Sequence, residues 1–325
     1  MTIFAATLSD IQSAARRIAP FIHTTPVMRC THFDALANRP LHFKCEIFQR
    51  TGSFKFRGAS NAVWSLTDAQ AAHGVATHSS GNHAQALACA ARMRGIQAHV
   101  VMPTDSAQSK RSAVESYGGR VIDCEPNLAS RATTAARVCE ETGATFIAPY
   151  DHPDVIAGQG TIALELLSQV SDLDAIIVPV GGGGMISGIT IAARALCPKI
   201  RVIGVEPTTV GDAAESKRMG SRQPATGAVT IADGLRTSLG DLTWPVVREL
   251  VDSVVTVSED EIVGALRLVY ERMKIVIEPS AAVGVAAAIG PLRARSDFGR
   301  AGVILCGGNI DPLLLSRCFG TSSSR

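Results

Sequence analysis

The sequence predicts an α/β fold built on parallel sheets with helices on both faces. Three observations lead there. Short apolar runs alternate with helical stretches along nearly the whole chain, the pattern left by strands buried on both sides. Four consecutive glycines, Gly181 to Gly184, separate one such strand from its helix. Residues 74–151 carry a complete strand–helix rhythm of their own. That block reads as a small domain inserted into a large one formed by 1–73 and 152–325. The crevice between the two is the expected ligand site.

Residues 9–18 read as a helix, and Leu41 to Ile47 alternates as a strand. A helix follows from Arg57 to Leu66, and Val75–His78 is a short strand before the helical stretch Ala84–Met93. Strands at 98–102, 120–124 and 145–148 are separated by helices at about 106–118 and 129–141. The rhythm resumes with strand 175–180, the glycine run and a helix to Ala195, then strand 201–206. Strand 253–257, helices 259–273 and 281–289 and strand 302–305 complete it, and Thr321–Arg325 reads as a frayed tail.

At 325 residues, 46% hydrophobic and 18% charged, the chain can bury a large core. A net charge of +2 without a basic run points away from nucleic acid and from acidic membranes. No apolar run is long enough to span a bilayer, and no signal core opens the chain, so a cytoplasmic protein is expected. The eight cysteines contain no C-x-x-C pair and sit mostly in apolar segments, as buried thiols do.

Four constellations carry chemistry. The first is Thr51-Gly52-Ser53-Phe54-Lys55-Phe56-Arg57-Gly58. A lysine at a helix mouth meets the positive end of the dipole, and apolar neighbours disfavour its ammonium form further. Such an amine is a better nucleophile towards a carbonyl. The second is Gly181-Gly182-Gly183-Gly184-Met185 after a strand, where backbone N–H groups and a helix dipole can wrap a phosphate. Neither the dinucleotide fingerprint nor the P-loop fits its spacing, although a turn chosen for tight packing would look the same. The third, Ser79-Ser80-Gly81-Asn82-His83, offers hydroxyls, an amide and helix-start N–H groups to a carboxylate. Asn82 can also donate to a phenolate oxygen. The fourth is Leu305-Cys306-Gly307-Gly308-Asn309: a thiol at a strand end that either faces a pyridine nitrogen or is simply buried.

Lysine, phosphate cup, carboxylate cradle and thiol together describe a pyridoxal 5'-phosphate site. Five motifs in order, at 53–59, 79–83, 157–161 (Ala-Gly-Gln-Gly-Thr), 181–185 and 306–309, resemble the serine/threonine dehydratase and serine racemase family. That resemblance implies the two-domain fold type II architecture, similar to the tryptophan synthase beta chain. It makes Lys55 the Schiff-base lysine and proton acceptor, with Ser80 as a second catalytic group on the opposite face of the substrate. Phe54, Asn82, Gly181 to Gly184, Met185 and Cys306 would hold the cofactor. Ser79, Ser80, Asn82 and His83 would hold the substrate carboxylate. The implied reaction removes water and ammonia from a β-hydroxy amino acid, with serine racemisation as the alternative.

Two further resemblances bear on the subgroup. Gly204-Val205-Glu206-Pro207 with Asp212 looks like a divalent-cation site. Glu206, Asp212 and the Val210 carbonyl would be hard oxygen ligands for Mg²⁺, Ca²⁺ or Mn²⁺; two surface carboxylates on a turn are the other reading. Arg131 and Ser238 match positions that bind the distal carboxylate of a dicarboxylic substrate, which makes 3-hydroxyaspartate a candidate beside serine and threonine. Arg131 also reads as a solvated helix residue. The family implies a homodimer, and the chain length leaves no room for the regulatory domain of biosynthetic threonine deaminases.

Overall fold

The computed structural model describes residues 4–320, so the expectation for the tail 321–325 lies outside them. Among the described residues, ten strands form two sheets. They are β1 (Val27–Met28), β2 (Leu41–Cys45), β3 (Val75–His78), β4 (Ala98–Pro103), β5 (Gly119–Cys124), β6 (Thr145–Phe146), β7 (Ala175–Pro179), β8 (Arg201–Pro207), β9 (Ser253–Val257) and β10 (Ala301–Leu305). The larger sheet runs β1-β2-β10-β7-β8-β9 and the smaller β5-β4-β3-β6. Every pairing is parallel except that of the two-residue β1 with β2. Strands β7 and β10 are buried along their full length, as their unbroken apolar runs require in a sheet covered on both faces.

Strand 253–257 and helix 259–273 appear with the expected bounds. The helix is fixed at its start by a Ser258–Glu261 capping box. The Lys55 helix begins earlier than its apolar pattern suggests, spanning Lys55–Ser65. Helix Pro153–Gln169, with His152 as its cap and proline in its first turn, carries the 157–161 motif.

All four strands of the smaller sheet lie within 74–151. Its core is shared, however: Phe56, Ala59, Ala62 and Val63 of the Lys55 helix and Val155 pack into the same cluster. The Lys55 helix therefore touches both lobes. Close glycine contacts let it do so. A Cβ on Gly158 would lie 2.6 Å from Gly58 Cα, and one on Gly188 would lie 2.5 Å from Gly160 N. Helix 153–169 is thereby seated against the Lys55 helix and against helix Gly184–Leu196 behind the glycine run.

Candidate active site

Lys55 opens its helix with no side chain capping that end. The stretch before it is stitched to the end of β10. Phe54 N donates to Cys306 O at 2.9 Å, Ser53 bridges Gly307, and Gly308 N donates to Gly52 O at 2.9 Å. Two motifs some 250 residues apart in the chain are thus side by side. Lys55 Nζ donates to Pro149 O at 2.6 Å and lies 5.1 Å from the Phe54 ring centroid. Burial lowers its pKa to about 8, against the opposing pull of Cys306 and Glu278. The sequence expectation of a softened ammonium is met, chiefly through desolvation.

Two residues on, Arg57 is fully buried and donates from Nε and Nη2 to both oxygens of buried Glu46, at 2.7 and 2.8 Å. Its Nη1 reaches Glu165 Oε2 at 3.0 Å, and Lys44 Nζ meets the other Glu165 oxygen at 2.6 Å. This cluster pins the Lys55 helix from below. A buried network of this kind fixes orientation more than it adds stability.

The glycine run forms the turn into helix 184–196, with Gly183 at φ 87° and no side-chain cap. The helix start is left open, as an anion cup requires. The Tyr150 ring lies against Gly182, where a Cβ would come within 2.4 Å of its carbons. The Tyr150 hydroxyl is hydrogen-bonded to Thr237, whose Oγ1 is 3.5 Å from where a Gly181 Cβ would stand. Thr237 is the hydroxyl facing this loop; its neighbour Ser238 is half-buried. Met185 is buried one residue into the helix.

On the other wall, Ser79 and Ser80 lie in the turn after β3, and Asn82 opens helix Asn82–Arg94, also uncapped. Ser79 Oγ accepts from Gly81 N at 3.3 Å. The His83 ring Nε2 faces Ile147 O at 3.2 Å, so Nε2 carries the hydrogen, and its buried Nδ1 has no partner. Burial pushes its pKa down to about 3. It is neutral at pH 7 and brings no positive charge to a carboxylate. Arg131, on helix Leu128–Thr142, has a buried Nε without a partner. Burial lowers the pKa of His78, the last residue of β3, and the Arg131 charge adds to that effect.

Sequence reading assigned no role to Glu278, which the fold places at the centre. It is buried, and Asn82 Nδ2 lies 3.0 Å from each of its oxygens. Cys306 Sγ lies 3.9 Å from Oε1. Burial, reinforced by Glu278, lifts the Cys306 thiol well above its ordinary value and keeps it neutral. Glu278 itself is raised to about 7, chiefly by burial. The available signal was a carboxylate directly before a helix-starting proline in an apolar stretch.

Glu206 and Asp212 lie apart from this cluster, at the end of β8 and the start of helix Asp212–Met219. Both are buried, at 0% and 3% exposure, which excludes the surface-turn reading. Glu206 accepts only helix-start N–H groups, from Ala213 at 3.2 Å and Ala214 at 2.8 Å. Neither Asp212 oxygen makes a well-formed hydrogen bond, though the backbone N–H groups of Asp212 and Leu239 approach closely enough to hold its pKa down. Burial raises Glu206 to about 8 and Asp212 to about 6. Among the described residues no group of three or more His, Cys, Asp or Glu gathers, so a cation here would need backbone carbonyls and water as well.

A family model described as pyridoxal-phosphate dependent enzyme matches residues 18–307. A serine racemase of Arabidopsis thaliana is 49% identical over 312 residues, covering 95% of this chain and 94% of that protein. A beta-hydroxyaspartate dehydratase of Paracoccus denitrificans is 47% identical over 309 residues, with 95% and 98% covered. The solved structure of maize serine racemase superposes with a TM-score of 0.95 at 47% identity, covering 98% of each chain.

Proposed function

This chain belongs to the pyridoxal-phosphate dependent enzymes, and from that premise we propose that it removes water and ammonia from a β-hydroxy amino acid to give a 2-oxo acid. One observation carries the reading. The Asn82 amide and the Cys306 thiol, from two distant motifs, border the same buried carboxyl group, Glu278, whose charge also reaches the Lys55 amine, and the Lys55 turn is bonded to the Cys306 backbone. Bound pyridoxal phosphate supplies an aldehyde for the substrate amine and a ring that draws electrons from the α-carbon.

The protein's own groups do the rest. Gly181 to Gly184 and Met185, at an open helix start, hold the phosphate. Ser79, Ser80 and the helix N–H groups at Asn82 hold the substrate carboxylate. With its pKa near 8, Lys55 is unprotonated in about a tenth of molecules at pH 7, and it takes the α-proton. The β-hydroxyl leaves as water with a proton returned by the same amine. The neutral Cys306 thiol faces the ring nitrogen without charging it, a mild electron sink suited to β-elimination.

Arg131, with its unpartnered Nε near the end of β3, supports a second carboxylate on the substrate, as in 3-hydroxyaspartate, and half-buried Ser238 is proposed as its second contact. Glu206, Asp212 and the Val210 carbonyl are proposed to bind Mg²⁺ or a similar cation; the two Asp212 oxygens, which make no well-formed hydrogen bond, support this. Phe48 and Val276, 46% and 43% exposed beside one hollow of about 440 Å³, support a homodimer. Cys30, Cys45, Cys89, Cys124, Cys139, Cys197 and Cys306 form no disulfide, which supports a reducing, cytoplasmic setting. No helix among the described residues is long and apolar enough to cross a membrane.

Racemisation is the second reading, favoured by Ser80. Its hydroxyl belongs to the turn after β3 of the smaller sheet, whereas the Lys55 turn is bound to β10 of the larger. The test is to incubate the purified holoenzyme with L-serine, L-threonine and both 3-hydroxyaspartate diastereomers, measuring keto acid and chirality together. Keto acid is expected to dominate, with loss of the visible band and of turnover in Lys55→Ala. Mainly D-serine with little pyruvate would reject the lyase in favour of the racemase.

A further inference from the structure

We propose that Glu278 is a positioning residue of this site, whose carboxyl group fixes the edge that Asn82 presents to the cofactor ring. The inference rests on the pyridoxal-phosphate reading of the cleft and goes beyond it. Glu278 directly precedes helix Pro279–Ile289, yet its side chain makes no capping bond to that helix. It turns across to Asn82, whose Nδ2 it accepts on both oxygens at 3.0 Å.

The other side of the Asn82 amide is fixed independently. Asn309 Nδ2 donates to Asn82 Oδ1 at 2.9 Å and to Thr51 O at 2.7 Å. Both of these acceptors are oxygens, so the Asn309 amide has one orientation, and Asn82 inherits one in turn. Its Oδ1 faces Asn309, and its Nδ2 faces Glu278 with the donor edge towards the cleft. Gly307 makes room for the carboxyl, since a Cβ there would lie 2.7 Å from Oε1.

The proton occupancy of Glu278 should then reach the ring through Asn82. The groups facing it are the Asn82 amide, the Asn309 backbone N–H and the Cys306 thiol, and its charge is felt at the Lys55 amine. Beyond them lie Asp233 and Lys110, themselves paired at 2.7 Å. Burial dominates and holds the carboxyl near neutrality.

The test compares wild-type holoenzyme with Glu278→Gln, Glu278→Ala and Asn309→Ala, by pH titration of the visible band and by cofactor affinity on reconstitution. Glu278→Gln keeps an acceptor and loses the titration. It should bind cofactor within about threefold of wild type, with the near-neutral spectral transition gone. Glu278→Ala and Asn309→Ala should each weaken cofactor binding about tenfold, because the Asn82 amide loses one of the two partners that orient it. Thermal melts separate misfolding from lost affinity, and Asn309→Ala, at an exposed position, probes the same amide if Glu278→Ala does not fold. A wild-type spectral titration in Glu278→Gln, or wild-type affinity in the alanine variants, would overturn the proposal. Absence of any visible band in the wild type would instead defeat the cofactor reading beneath it.

Discussion

Lys55 sits where an ammonium ion is disfavoured both by burial and by the helix start it occupies. Its folded pKa of about 8 lies below the ordinary 10.5, so the unfolded chain binds the proton more tightly. The charged lysine therefore costs stability at every pH below about 8, and the cost fades as pH rises towards 10.5. Lys55→Met should accordingly stabilise the cofactor-free protein by about 3 kcal/mol at pH 7, with a smaller gain at pH 10. Melting curves of both proteins at the two pH values check this; equal stability at pH 7 would mean the amine is solvated. The same variant should take up no cofactor in a form that absorbs visible light. Lys55 was legible in the sequence because helix position and apolar neighbours are local properties. Glu278 was not, because its partners Asn82 and Cys306 come from other elements and only tertiary packing brings them within reach.

The elements divide in the same way. Strand 253–257 and helix 259–273 were readable to the residue, since alternation and a capping box are written locally. Helix Pro153–Gln169 was not read as a helix, although its Ala-Gly-Gln-Gly-Thr motif was noticed. Its buried residues run unbroken from Val155 to Ala163, with Gly158 and Gly160 at the closest approaches, so burial on all sides replaces the one-sided apolar stripe that betrays a helix. Glycines in different helices should therefore respond to substitution with opposite sign. In Gly158→Ala the new methyl meets Gly58 Cα and the Arg57 carbonyl, both backbone. A loss of about 1–3 kcal/mol is expected, with weaker cofactor retention because the Lys55 helix is displaced. Gly264, exposed on helix 259–273, has nothing within 4 Å of its would-be Cβ. Gly264→Ala should add about 0.5–1 kcal/mol through helix propensity alone. Differential scanning calorimetry of the pair, with cofactor content by absorbance, decides the matter. A harmless Gly158→Ala would mean that the two helices do not approach so closely.

For the whole molecule, three buried acids hold raised pKa values, and their summed titration is measurable. Glu206 and Glu278 are raised to about 8 and about 7 from 4.5, and Asp212 to about 6 from 3.8. A raised carboxyl binds its proton more tightly when folded, so its contribution is lost as pH climbs through the raised value. His83, lowered to about 3 from 6.5, acts in the opposite direction but only below its ordinary value. Between about pH 6.5 and 8 the carboxyls outweigh the lowered histidines and Lys55, which opposes them only as pH nears its own value of about 8, and the metal- and cofactor-free protein should lose thermal stability across that window. A divalent cation binds only the ionised pair. Its stabilising effect at Glu206 and Asp212 should grow with pH, being slight at pH 6 and largest at pH 8. Glu206→Gln should flatten the fall and abolish the response to the cation. Melting curves in EDTA and in excess Mg²⁺ or Mn²⁺ at the two pH values provide the check. A stability that stays level from pH 6.5 to 8 in EDTA would mean that water or another group already solvates these acids. A cation effect of equal size at both pH values would place any bound metal elsewhere.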